Sequence, residues 1–62
     1  MYLEWAKQAC ESERQSDWSK AIECWKLAHS SAREGSKNKG WAENRLYFCC
    51  NRAGIRLNAV LI

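Results

Sequence analysis

A chain of 62 residues holds one small domain at most. Its 47% hydrophobic content, with four Trp, two Tyr and one Phe, excludes a disordered tail, and the lack of proline suits helices joined by short connections. The formal charge of +3 falls short of a nucleic-acid signature and is uneven: residues 1–34 carry five basic and six acidic side chains, residues 35–62 five basic and one acidic.

Glu4 and Lys7 interrupt the opening, so no basic region followed by an apolar run marks a signal peptide. No window approaches the ~20 apolar residues of a membrane span. A cytoplasmic location with reduced thiols is the expectation, with no membrane partner. A core this small supplies little net stability, so support from a disulfide, a metal or a second subunit is to be looked for.

The periodicity predicts an all-α three-helix unit over residues 1–54, with helices at about 2–15, 17–33 and 39–53 and an apolar C-terminal tail at 55–62. In the first helix Tyr2, Leu3, Trp5, Ala6, Ala9 and Cys10 share a broad arc, and Glu13 is the one charge inside it. Ser16 is read as the cap of the second helix, with Asp17 near the positive end of its dipole. That helix has the strongest period: Trp18, Ala21, Ile22, Trp25, Ala28, His29 and Ala32 lie on one face. Gly35 is read as the residue that ends it at positive φ, and Ser36 or Asn38 as the cap of the third helix. The first two helices also follow a tetratricopeptide spacing. Trp5, Ala9, Ala21, Trp25 and Ala28 supply large, small, small, large and small residues, and the repeat's tight-turn glycine is replaced by the Gln15–Asp17 region. This is read as an antiparallel hairpin geometry, not as membership of that repeat family.

The third helix is organised around Trp41-Ala42-Glu43-Asn44-Arg45-Leu46-Tyr47-Phe48-Cys49-Cys50. Ala42, Leu46, Cys49 and Ala53 form one apolar line, Trp41 and Phe48 a second, and Arg45 and Arg52 project between them. Guanidiniums inside an apolar arc either reach water at its edge or meet a carboxylate. Glu13 and Arg45 are odd charges of opposite sign on apolar faces, so they are expected to pair, with Glu23 as the alternative partner of Arg45. The tail residues Ile55, Leu57, Val60 and Leu61 are either a helix extension or an arm packed on the bundle or on a second copy. A homodimer would cover that tail together with Trp41 and Phe48.

Cys10, Cys24 and Cys49-Cys50 make no CxxC pair, and adjacent helical residues point ~100° apart, so neither a metal nor a cofactor is expected. Cys10 and Cys49 are read as buried apolar residues, Cys24 and Cys50 as more exposed. His29 has no Ser or Cys at triad spacing and there is no glycine-rich phosphate loop, so the chain is not expected to be an enzyme. The third helix follows a turn and is basic, as a recognition helix would be. Its outward arc, Glu43, Asn44, Tyr47, Cys50 and Asn51, is not a base-reading set, so direct DNA binding is the weaker expectation.

Glu13-Arg14, then Asp17-Trp18-Ser19-Lys20-Ala21-Ile22-Glu23-Cys24-Trp25, then Trp41-Ala42-Glu43-Asn44-Arg45 with Phe48-Cys49, resembles the AraC Negative Regulators of Gram-negative pathogens, the ANR family. The resemblance spans about residues 5–50. A more distant likeness to the PerC-type virulence activators overlaps the same features. The family resemblance implies a short cytoplasmic protein that binds an AraC/XylS-type activator of virulence genes and lowers its activity, by interfering with dimerisation or DNA engagement. Some members also contact the histone-like nucleoid-structuring protein. Glu13, Trp25, Trp41, Arg45 and Cys49 match the family pattern, whereas Trp18 stands where a smaller aromatic is usual and Cys49-Cys50 is doubled. The surface expected to meet a partner or a second copy is Trp41, Arg45, Phe48 and Arg52, with the tail residues Ile55, Leu57, Val60 and Leu61.

Overall fold

A computed structural model describes residues 2–55, which form three α-helices and, among these residues, no strand. They are α1 (Tyr2–Arg14), α2 (Trp18–Ser31) and α3 (Lys37–Ala53). Both α1 and α3 pack along α2 and touch each other at few points. The expected elements at 55–62 fall outside the described residues except for Ile55. No helix among the described residues is long and apolar enough to cross a membrane.

The core shows why α2 is central. Ala9 of α1, Ala21 and Ala28 of α2 and Ala42 of α3 are all fully buried, so small residues stand at the contacts and let the backbones approach closely. Ile22, Trp25, Leu46, Cys24, Cys49 and Cys50 fill the space between. Because α2 is covered from two sides, its buried arc is wider than one stripe and includes Cys24.

Three burial assignments change as a result. Cys24 and Cys50 are buried, not exposed, and Cys10 is exposed, not buried. On α3 the core stripe is centred on Leu46 and widens toward Cys50 rather than toward the Trp41–Phe48 line. On α1 the buried edge runs through Ala9 and Ser12, which turns Leu3 and Cys10 outward.

The helix ends also correct the sequence reading. Asp17, not Ser16, caps α2, its carboxylate accepting the Lys20 N–H at 3.3 Å. Ser16 instead closes α1. The Ser16 N–H donates to the Glu13 carbonyl and the Asp17 N–H to the Ser12 carbonyl, the paired bonds of a Schellman motif, with Ser16 held at φ 57°. The position left without the repeat's glycine is thus the one that needs left-handed backbone. Helix α3 ends the same way with the residue suited to it. Gly54 sits at φ 74°, and the Gly54 and Ile55 N–H groups donate to the Asn51 and Cys50 carbonyls.

Gly35 does not terminate α2. That helix stops at Ser31 with Ala32 extended, and Gly35 serves the loop, at φ 75° in a turn closed by the Ser36 N–H on the Arg33 carbonyl. Ser36 caps α3 through its hydroxyl on the Lys39 N–H, while the Lys39 ammonium donates to the His29 carbonyl near the end of α2 at 3.1 Å. A cation there satisfies an end carbonyl and complements the helix dipole.

A left-handed L-residue costs roughly 1–2 kcal/mol, part of which a glycine returns as unfolded-state entropy. Ser16→Gly should therefore stabilise the fold by about 0.5–1 kcal/mol. Gly54→Ala should destabilise it by about 1 kcal/mol. Urea unfolding followed by circular dichroism checks both, as shifts in midpoint at unchanged slope.

Candidate functional site

Glu13 lies near the end of α1, Trp25 in the middle of α2, and Arg45 and Cys49 one turn apart on α3. Trp25 and Arg45 meet the Glu13 carboxylate, and its charge bears on the Cys49 thiol. Arg45 Nη2 pairs with Glu13 Oε1, and Arg45 Nε donates to Oε2 at 3.3 Å. Trp25 Nε1 donates to Oε2 at 2.5 Å. Glu13 keeps 12% of its side-chain surface and Arg45 28%, so the pair is largely but not wholly withdrawn from water. Glu23, the alternative partner for Arg45, is exposed and does not take part.

The electrostatics follow from that geometry. The hydrogen bond to Glu13 raises the Arg45 pKa above its ordinary value, against the opposing effect of burial. Burial, reinforced by the Glu13 charge and hydrogen bond, pushes the Cys49 thiol up to about 12. Cys49 is therefore a neutral thiol at ordinary pH and not a nucleophile. Burial likewise raises Cys24 and Cys50. Among the described residues no three His, Cys, Asp or Glu side chains gather as cation ligands.

A second cluster abuts the first. The Arg45 guanidinium lies 4.4 Å from the Phe48 ring centre, so Arg45 bridges the carboxylate and an aromatic face. Phe48 meets Trp18 edge to face at 5.9 Å. Arg52 sits over both rings, at 5.3 Å from Phe48 and 5.9 Å from Trp18, and is exposed. The partner that the periodicity demanded for Arg52 is thus an aromatic shelf; its head meets water.

Of the other surface residues, Trp41 is 56% exposed and Ile55 41%. Leu57, Val60 and Leu61 lie outside the described residues. The structure brings Arg45, Phe48 and Arg52 together and leaves Trp41 apart, on an open groove between α1 and α3. Sequence reasoning missed the contributions of Trp25 and Trp18. Trp25 carried a signal: its apolar face position says nothing of its indole N–H, yet a buried Trp needs an acceptor, and Glu13 was the acceptor without an assigned donor on α2. His29 is half-buried and 3.8 Å from the Glu43 carboxylate.

Removing the cation leaves Glu13 facing the interior with one strong partner fewer. Arg45→Met should cost roughly 2–4 kcal/mol, the upper part of the range for a broken buried pair being reduced by the residual exposure. Against a total stability of about 3–9 kcal/mol for a chain this long, that shows as partial or complete loss of the unfolding transition. Glu13→Leu combined with Arg45→Met should cost less than the two single changes summed, read from a double-mutant cycle of denaturation curves.

The raised thiol of Cys49 sets a pH limit. A group that is neutral in the fold and whose pKa is raised contributes fully below its unfolded value, and that contribution is lost as pH climbs toward about 12. Stability should fall across pH 9–12, and Cys49→Ala should flatten that slope while lowering stability at neutral pH. At neutral pH a thiol reagent should label Cys10 rapidly in the folded chain and the other three cysteines only on unfolding.

Comparison with family models, with curated proteins and with solved structures returns no match.

Proposed function

We propose that the chain is a negative regulator of transcription that binds an AraC/XylS-type activator and blocks its dimerisation or its engagement of DNA. One observation carries this reading. Of the five residues that match the resembled pattern, Glu13, Trp25 and Arg45 form one hydrogen-bonded cluster, Cys49 is buried one turn beyond Arg45, and Trp41 is an exposed indole one turn from Arg45. The pattern therefore selects one arrangement of three helices and one large apolar side chain held outside it. An exposed Trp is the residue type that dominates binding energy at protein interfaces. In this reading the protein is cytoplasmic, has no catalytic role and needs no cofactor. The histone-like nucleoid-structuring protein is a further partner suggested by the resemblance.

The finer architecture belongs to the same reading. The α1–α2 pair is a tetratricopeptide-like hairpin, with alanines at the crossing and Ser16 in the turn. A short competitor needs only to match its target's affinity for itself to shift the target by mass action.

The second reading is a small DNA-binding or nucleoid-protein-binding regulator, and the basic character of α3 favours it. Against it, Arg45 is committed to Glu13 and Arg52 is stacked on aromatic rings, while the outward residues Glu43, Asn44, Tyr47 and Asn51 offer no bidentate reader of guanine.

Purified full-length chain titrated into an AraC/XylS-type activator on its operator separates the two. The expected result is weaker operator binding by the activator, preserved at raised salt, with no retardation of DNA by the chain alone. Trp41→Ala should weaken the effect at least about tenfold without changing the fold. Retardation of DNA by the chain alone, falling steeply with salt, would instead establish the second reading.

A further inference from the structure

We infer that the groove between α1 and α3 is the face on which a second copy of this chain docks, with the outward face of α1 crossing its symmetry mate antiparallel about a two-fold axis level with residue 9. The groove is an open trough of about 510 Å³. Ala6 and Trp25 line its depth, and Leu3 and Trp41, 62% and 56% exposed, stand at its lips. It exists because α1 and α3 both lean on α2 while the Glu13–Arg45 pair joins them near the end of α1. An open apolar trough flanked by large exposed hydrophobics marks an interaction surface.

The charges of α1 say what covers it. Glu4, Lys7, Glu11 and Arg14 are all exposed. Reflected about residue 9, position 4 meets position 14 and position 7 meets position 11. The sequence of signs is minus, plus, minus, plus, so every charge meets its opposite. An isologous two-fold contact places residue i against j and j against i. Antiparallel docking of α1 on its own copy therefore makes Glu4–Arg14 and Lys7–Glu11 pairs twice each. Parallel docking sets each charge against itself. A different helical protein has no reason to carry that complement, whereas a second copy carries it by necessity. The spacing of Leu3, Lys7, Cys10 and Arg14, at four, three and four residues, is that of a helix–helix seam. Leu3 and Cys10 supply its apolar positions, with Ala6 beside them. The intrahelical contact of Glu11 with Arg14 at 3.4 Å is solvent-exposed and readily exchanged for an intermolecular one.

Cys10 reports the geometry. It lies one residue from the proposed axis, so it and its mate are displaced by only about 3 Å along the helices, at an interaxial distance of roughly 8–10 Å. Cys24, Cys49 and Cys50 are buried, so a thiol crosslinker meets Cys10 alone on the folded surface.

The test uses the full chain under reducing conditions and needs no activator, so its outcome is separate from that of the functional reading. Sedimentation across a wide concentration range should show a monomer–dimer equilibrium. Lys7→Glu and Glu11→Lys should each weaken the dimer about tenfold or more (about 1.4 kcal/mol), with helicity by circular dichroism unchanged. The two changes together should restore it. A short bis-maleimide should join two chains, and Cys10→Ser should abolish the product. A chain that stays monomeric at every concentration overturns the inference. So does a dimer indifferent to both single reversals, or one lost on truncation after Ile55 but not crosslinked through Cys10.

Discussion

The Glu13 carboxylate constrains everything around it. An ionised group with 12% of its surface left to water is tolerated only when its oxygens are fully engaged. Here the donors come from both other helices: the indole of Trp25 on α2 and the guanidinium of Arg45 on α3. Sliding α2 or α3 by one residue turns its donor by ~100° and withdraws it. Every such alternative leaves a charge partly desolvated and unanswered. The cluster adds little net stability compared with an apolar core of the same volume. What it supplies is the energy gap between this register and its neighbours.

Arginine rather than lysine suits the position. The fork of Arg45 reaches both carboxylate oxygens, while its flat face lies against Phe48. Phe48 in turn meets Trp18, and Arg52 covers the pair from outside. A chain this short has few side chains that are buried outright. The half-buried aromatics around the ion pair extend the dry region beyond the strict core, and they lower the local dielectric that strengthens the pair.

The parts legible in the sequence were those fixed by local period. The α2 face, the line through Ala42, Leu46, Cys49 and Ala53, and the opposite charges of Glu13 and Arg45 all stand out from spacing alone. What the period hid depended on how many neighbours each helix has. Cys24 lies off the main stripe of α2, yet it is buried because α2 is covered on two sides. Cys10 lies on the apolar arc of α1 and is exposed, because α1 has one principal neighbour. The caps were misread by one residue at the α1–α2 turn for a different reason. Ser16 and Asp17 are both good capping residues, and only the hydrogen bonds of the Schellman motif decide that Ser16 belongs to the end of α1. Gly35 misled similarly, since a glycine just past a helix serves a later turn as readily as the helix end.

The groove between α1 and α3 follows from how the helices are arranged. Three helices with a central member leave the two outer ones adjacent but little packed on each other. Here Glu13 and Arg45 close one end, and among the described residues no comparable contact closes the end at Leu3 and Trp41. Two large apolar residues are left standing where a polar pair would have been easier to solvate. Their exposure contrasts with the care spent on Glu13, whose every oxygen is answered.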